Sequence, residues 1–228
     1  FVPSRGLGDV YKRQPHKAGT GGAGIELAII PPLSCERRLV LNYTKTEDTN
    51  KAPVAPRPRV SFAFPKIGEK IVPYAGLGYI PPVTVFGTRN VVVSAEAGFG
   101  VTSEKGFQWG GRYHATLMKT VAEIATPFDE SAEAVDDLYV GSTFGVDLMG
   151  GWRAEKFTPY AAIGFTDVST FFYIGDDGIV GNNYDPYAGV TLSAGAQYRA
   201  AEHVQLAAEF YTAPGIIYTG RLRASWIF

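Results

Sequence analysis

Apolar side chains recur at every second position along most of this chain. Ile25, Leu27 and Ile29 alternate with Glu26 and Ala28, and Val60, Phe62 and Phe64 with Ser61 and Ala63. Ile71, Pro73, Ala75, Leu77 and Tyr79 are set against Tyr74, Gly76 and Gly78. The pattern returns over Val91–Val101, Phe107–Leu117, Val140–Trp152, Phe157–Phe165, Ala188–Tyr198 and Val204–Phe210. It ends with Ile216–Phe228, whose even positions are apolar and whose odd positions carry Arg221 and Arg223. A period of two belongs to a strand with one apolar and one polar face. About ten strands are expected; eight is the alternative, because the first two are short.

The connections sort by length. KIGEK, SEKG, RAEK and RAAEH are short and charged, and counted back from Phe228 they all fall at the end that holds the C-terminus. Most others are longer and rich in Gly, Asn, Asp or Pro, including residues 31–58 and TPFDESAEAVDD. A soluble sandwich has no reason to sort its loops this way, whereas a transmembrane barrel has short turns at one rim and long loops at the other. The predicted fold is therefore all-β: an antiparallel up-and-down transmembrane β-barrel. Between Asp167 and Tyr173 the alternation blurs, which predicts a bulge or a strand rising out of the membrane.

Composition agrees. The 228 residues are 46% hydrophobic and 13% aromatic, with 27 Gly and a net charge of -1. No apolar run is long enough for a membrane helix, and the charge balance gives no reason to expect nucleic acid. The single cysteine, Cys35, excludes an internal disulfide and is assigned no role. Residues 1–21 contain FVPSRGLGDVYKRQ, which reads as a disordered or non-native leader; residues 22–228 are the barrel domain.

The last strand, with Tyr218, Leu222, Trp226 and Phe228 on one face and Phe228 at its end, resembles the closing strand of bacterial outer-membrane β-barrels. The chain as a whole is similar to the small OmpA-like and OmpW-like barrels. That resemblance implies the bacterial outer membrane, insertion by the barrel-assembly machinery with those four residues in the recognised signal, and lipid and lipopolysaccharide as surroundings. A monomer with no cofactor and no bound metal is expected.

A charge facing lipid near the midplane would cost about 2–4 kcal/mol, so the charged residues of the polar faces must point inward. Glu96, Arg112, His114, Asp147, Glu209, Arg221 and Arg223 are the expected lumen network, with Glu26 on the same kind of face. Charges desolvated together should pair, and inward glycines such as Gly76, Gly98 and Gly145 leave them room. A lumen this narrow is largely filled by side chains. The functional expectation is a non-enzymatic barrel, plugged by ion pairs, with a structural or surface-interaction role through its outer loops. The alternatives are a narrow pore for small solutes or ions and, third, a rim hydrolase using His114 beside Asp147. Asp176, Asp177, Asn182, Asn183 and Asp185 supply oxygen ligands without EF-hand spacing, and turn chemistry accounts for them.

Overall fold

The structure is a computed structural model that describes residues 20–29, 39–40, 45–47, 54–68, 70–85, 88–103, 106–122, 125–127, 137–174, 179–182, 187–215 and 217–228. All regular structure among them is strand: β1 Gly21–Ile29, β2 Leu39–Val40, β3 Lys45–Glu47, β4 Val54–Ala63, β5 Ile71–Val85, β6 Thr88–Thr102, β7 Phe107–Ala122, β8 Ala125–Pro127, β9 Asp137–Trp152, β10 Phe157–Ile174, β11 Ile179–Asn182, β12 Tyr187–Arg199, β13 Val204–Ala213 and β14 Ile217–Ile227. Ten of them close into a ring in the order β1-β4-β5-β6-β7-β9-β10-β12-β13-β14, every pair antiparallel and β14 returning to β1. Closure leaves none of these ten as an edge strand, and lipid requires that. Apart from the ring, β2, β3 and β8 form a small sheet between two outer segments, and β11 extends β10.

The register fixes the geometry. One circuit runs Arg199–Gln205–Ser225–Gly24–Arg59–Gly78–Ser94–Thr116–Thr143–Val168–Tyr187 and returns to β12 twelve residues from its start (199 − 187 = 12). Ten strands with a shear of twelve, at standard strand spacing and rise, tilt by about 40° and enclose a backbone cylinder of about 10 Å radius.

Burial follows the alternation. Outward Leu148, Ile25, Leu77, Val146, Phe210 and Trp226 are all exposed, while their sequence neighbours Asp147, Glu26, Gly78, Gly145, Glu209 and Ser225 turn inward. The outward face carries no charge between Trp152 and Phe144 on β9 or between Trp226 and Tyr218 on β14. Among the described residues, charge reappears outward at the far ends, as Arg89, Lys119 and Asp167, and in the opposite turns, as Lys70, Glu155, Lys156 and Glu202. That leaves an apolar band about 20–25 Å tall, the height of hydrocarbon spanned by such barrels. A belt of this size far exceeds the apolar patches of soluble monomers and belongs in lipid. Trp109, Trp152, Phe157, Tyr198, Trp226 and Phe228 crowd its terminus-side border, as interfacial aromatics do.

The start of β1 meets Phe228 at that same rim. Gly21 N–H donates to the Phe228 carbonyl (2.9 Å) and Phe228 N–H to the Gly21 carbonyl (3.0 Å). His203 bonds the Ile227 carbonyl through Nδ1 (2.9 Å) and stacks on Trp226. Tight turns close this rim; Gly106, at φ 84°, donates to the Ser103 carbonyl, a backbone form that suits glycine.

Three sequence expectations change. Residues 31–58 were expected to be loop, but β4 begins at Val54. Pro56 and Pro58 disguised it; both point outward, and Arg57 and Arg59 between and after them point into the barrel. β10 carries no bulge: it pairs with β9 without a register shift from Tyr160 to Tyr173, so it is a strand continuing beyond the band. The irregularity lies in β5, between Ile80 and Val83. The connection between β5 and β6, expected to be long, is tight, since Val85 pairs with Thr88. Five strands run to 15 residues or more. Cys35, Asp176, Asp177, Asn183 and Asp185 lie outside the described residues.

Candidate functional site in the barrel lumen

The cross-strand register brings the inward charges together. Glu26 of β1 stands opposite Arg57 of β4 on one side and Arg223 of β14 on the other. Glu209 stands opposite Arg221, Arg112 opposite Asp147, and Glu96 opposite His114. Allowing for the shear, all of these and Arg59 lie within about 6 Å of one height on the barrel axis.

They form a connected belt. Arg57 and Arg59 each reach Glu26 at 2.9 Å, and Arg59 also reaches Glu96 at 2.6 Å. Arg112 spans Glu96 at 3.5 Å and Asp147, to which it donates from Nε (3.0 Å) and from a terminal nitrogen (2.8 Å). His114 Nε2 stands 3.7 Å from Asp147. Across the lumen, Arg221 donates to Glu209 (2.7 Å), Tyr160 hydroxyl donates to the other Glu209 oxygen (3.1 Å), and the Arg221 guanidinium lies over the Tyr211 ring. Every carboxylate of the belt has an arginine at hydrogen-bond distance, the arrangement that makes buried charge tolerable.

All seven network residues expected from sequence are buried and inward. Sequence reasoning left Glu26 out of the central set and missed Arg57, Arg59 and Tyr160. The signal for the two arginines was present as P-R-P-R-V, a two-residue alternation that prolines made to look like loop. Five arginines therefore face four carboxylates, Glu26, Glu96, Asp147 and Glu209.

Glycines let these side chains lie flat across the neighbouring strand. A Cβ on Gly76 would sit 2.9 Å from Glu96, one on Gly164 would collide with the Asp147 carboxylate, and one on Gly145 with the His114 ring. Each of these glycines is the direct cross-strand partner of the side chain it accommodates. Gly145→Ala is expected to lose about 1–3 kcal/mol by overpacking. Gly150→Ala, whose Cβ would meet nothing closer than 3.9 Å, should stay within about 0.5 kcal/mol of the native chain. Urea unfolding of the protein in lipid vesicles, followed by tryptophan fluorescence, measures both.

The lumen is layered about the belt. On the terminus side lie the buried Gln108, Gln197, Gln205, Thr158 and Ser225; on the outer side lie Ser94, Thr116, Thr143, Thr166, Thr191 and Thr219. Among the described residues no three His, Cys, Asp or Glu side chains gather as a metal ion would require.

No family model matches the chain, and no curated protein does. Solved structures similar to it include the translocator domain of the autotransporter NalP from Neisseria meningitidis, at 11% identity and TM-score 0.49, covering 92% of this chain and 88% of that one. An outer membrane channel from Pseudomonas putida F1 is similar at 10% identity and TM-score 0.48, over 99% and 100%. The beta domain of the Bordetella autotransporter BrkA is similar at 12% identity and TM-score 0.47, over 92% and 99%. By its own hydrogen-bond ladder, the chain is a closed ten-strand antiparallel barrel with a belt of buried, inward charges.

Proposed function

We propose that this protein is a bacterial outer-membrane barrel whose lumen is plugged, and that it acts through its outer loops as a structural or surface-interaction protein in contact with lipopolysaccharide or partners. The observation that carries the reading is the unbroken run of ion pairs Arg57–Glu26–Arg59–Glu96–Arg112–Asp147 across five strands. Side chains reach inward from every wall of a cylinder of about 10 Å radius, and arginines and glutamates long enough to meet one another leave little free section. An open selectivity ring would instead hold its acids and arginines apart across water. The barrel-assembly machinery is the partner this reading implies for insertion, with Tyr218, Leu222, Trp226 and Phe228 on the outward face of the closing strand.

His114 is read as a member of the plug rather than a catalyst. It lies inside the belt beside Asp147, which Arg112 already engages twice, and the nearest serine layer includes Ser94, whose hydroxyl donates to the Gly78 carbonyl (3.4 Å).

Conductance in a planar bilayer tests the plug. The native chain should give no channel steps, and a Glu96→Ala, Arg112→Ala double variant should give them, because it removes the two members of the belt that join Arg59 to Asp147. Steady steps from the native chain would replace this reading with that of a narrow pore whose belt selects solutes.

A further inference from the structure

Nine of the ten barrel seams carry eight or more register pairs. β4 and β5 share only five, from Arg59↔Gly78 to Ala63↔Tyr74. Outward of Arg59, β4 stays paired with β1 as far as Val54↔Ile29, and β5 stays paired with β6 as far as Val85↔Thr88. The two strands continue side by side with no ladder between them.

Prolines account for the break. Ala63 N–H donates toward β1, to the Thr20 carbonyl, and Phe64 N–H toward β5, to the Pro73 carbonyl. Even-numbered residues of β4 therefore aim their backbone at β5. The next two outward of the ladder are Pro58 and Pro56, which have no N–H to give. Extending the register sets Tyr79 opposite Pro58 and Pro81 opposite Pro56, so on the second rung neither strand carries a donor. Pro82 and the register shift between Ile80 and Val83 then turn β5 aside.

The gap sits just above the charged belt, in the outer half of the apolar band. Its sill is Arg57, whose stem crosses the seam: a Cβ on Gly78 would stand 3.2 Å from Arg57 Cδ. Pro56, Pro58, Tyr79 and Pro81 are exposed around it on the lipid side. On the lumen side, Ile80, Val92 and Met118 follow one another in register, with Val92 and Met118 buried. They make an apolar patch in a storey where β9, β10, β12 and β14 present Thr143, Thr166, Thr191 and Thr219. Backbone that lacks a ladder at membrane depth is tolerated where it borders protein or a cavity.

We propose that the β4–β5 seam is a lateral port through which a single-chain amphiphile, an acyl chain with a small polar head, passes between the outer half of the bilayer and the upper lumen. The inference rests on the membrane-spanning, plugged-barrel reading. The apolar patch takes the chain, the hydroxyl storey takes the head, and the ion-pair belt stops passage along the axis.

The test is photolabelling in lipid nanodiscs with diazirine-bearing palmitic acid, in a Cys35→Ser background carrying Pro58→Cys and Tyr79→Cys to staple the seam. Mass spectrometry compares label on inward Val92 and Met118 with label on outward Val93 and Leu117. With the staple reduced, both pairs should be labelled; with it oxidised, inward label should fall several-fold while outward label holds. Pro56→Val, Pro58→Val, Pro81→Val, which restores donors, should act like the oxidised staple. No inward label in the native chain, or inward label indifferent to oxidation, overturns the port. If the triple variant does not fold, the oxidised and reduced forms of the one stapled protein decide. A failed plug would appear separately, as channel steps with labelling still dependent on the staple.

Discussion

Arg112→Ala is expected to destabilise the folded barrel by about 3–5 kcal/mol, the range for breaking a buried ion pair by deleting one partner. The reason is what remains. Arg112 is buried on β7 and engages Asp147 twice and Glu96 once. Without it, Asp147 loses both of those bonds, with His114 standing 3.7 Å away, and Glu96 keeps Arg59. Buried Asp147 would lose the cation that engages it twice, and Glu96 one of its two arginines. Arg112→Ala, Asp147→Ala should be less destabilised than the sum of its two single variants, because the stranded carboxylate is gone. Equilibrium urea titration in lipid vesicles measures all three. A single variant within about 1 kcal/mol of the native chain would mean that the belt is hydrated and behaves as an exposed pair.

The strand period carried most of the architecture. Even positions of the closing strand read as outward from sequence because Tyr218, Leu222, Trp226 and Phe228 could not sit beside Arg221 and Arg223 on one face, and the alternation extended that logic to each wall of the barrel. Glu209 and Arg221 could be paired because they stand six residues either side of Gly215, in the short link between their strands, which fixes their register. What was hidden depended on long-range register or on backbone direction. Glu96 and Arg112 lie on adjacent strands and meet at 3.5 Å, but the ladder puts His114 opposite Glu96 and Asp147 opposite Arg112. That assignment needs the β7–β9 register, which the long acidic segment between those strands obscures. Pro56 and Pro58 hid β4 because proline is read as a strand breaker. Only the structure reveals that their missing N–H groups face a seam whose ladder has ended, where no donor is demanded. Tyr160 was hidden differently: Pro159 and Ala161 beside it read as the outward face, and a buried tyrosine hydroxyl has no sequence signature until its acceptor, Glu209, is in place.

Leu148→Arg is expected to cost about 2–4 kcal/mol, and Val140→Arg on the same strand and the same face about 0–1 kcal/mol, because the penalty for a cation facing lipid depends on depth. Leu148 points outward at 60% exposure, between Gly111 and Ile163 of the flanking strands and near the middle of the apolar band. Val140 also points outward, eight residues farther along β9, at the level where Lys119 of β7 is its register partner. One residue inward of Leu148, Asp147 carries its charge among arginines. The two neighbours thus test both halves of the same assignment, a lipid face that rejects charge and a lumen that requires it. In a soluble barrel the order would reverse: an arginine at an exposed Leu148 would be harmless or would improve solubility. Unfolding midpoints of the two variants in vesicles separate the cases, and equal midpoints at positions 140 and 148 would remove β9 from the membrane.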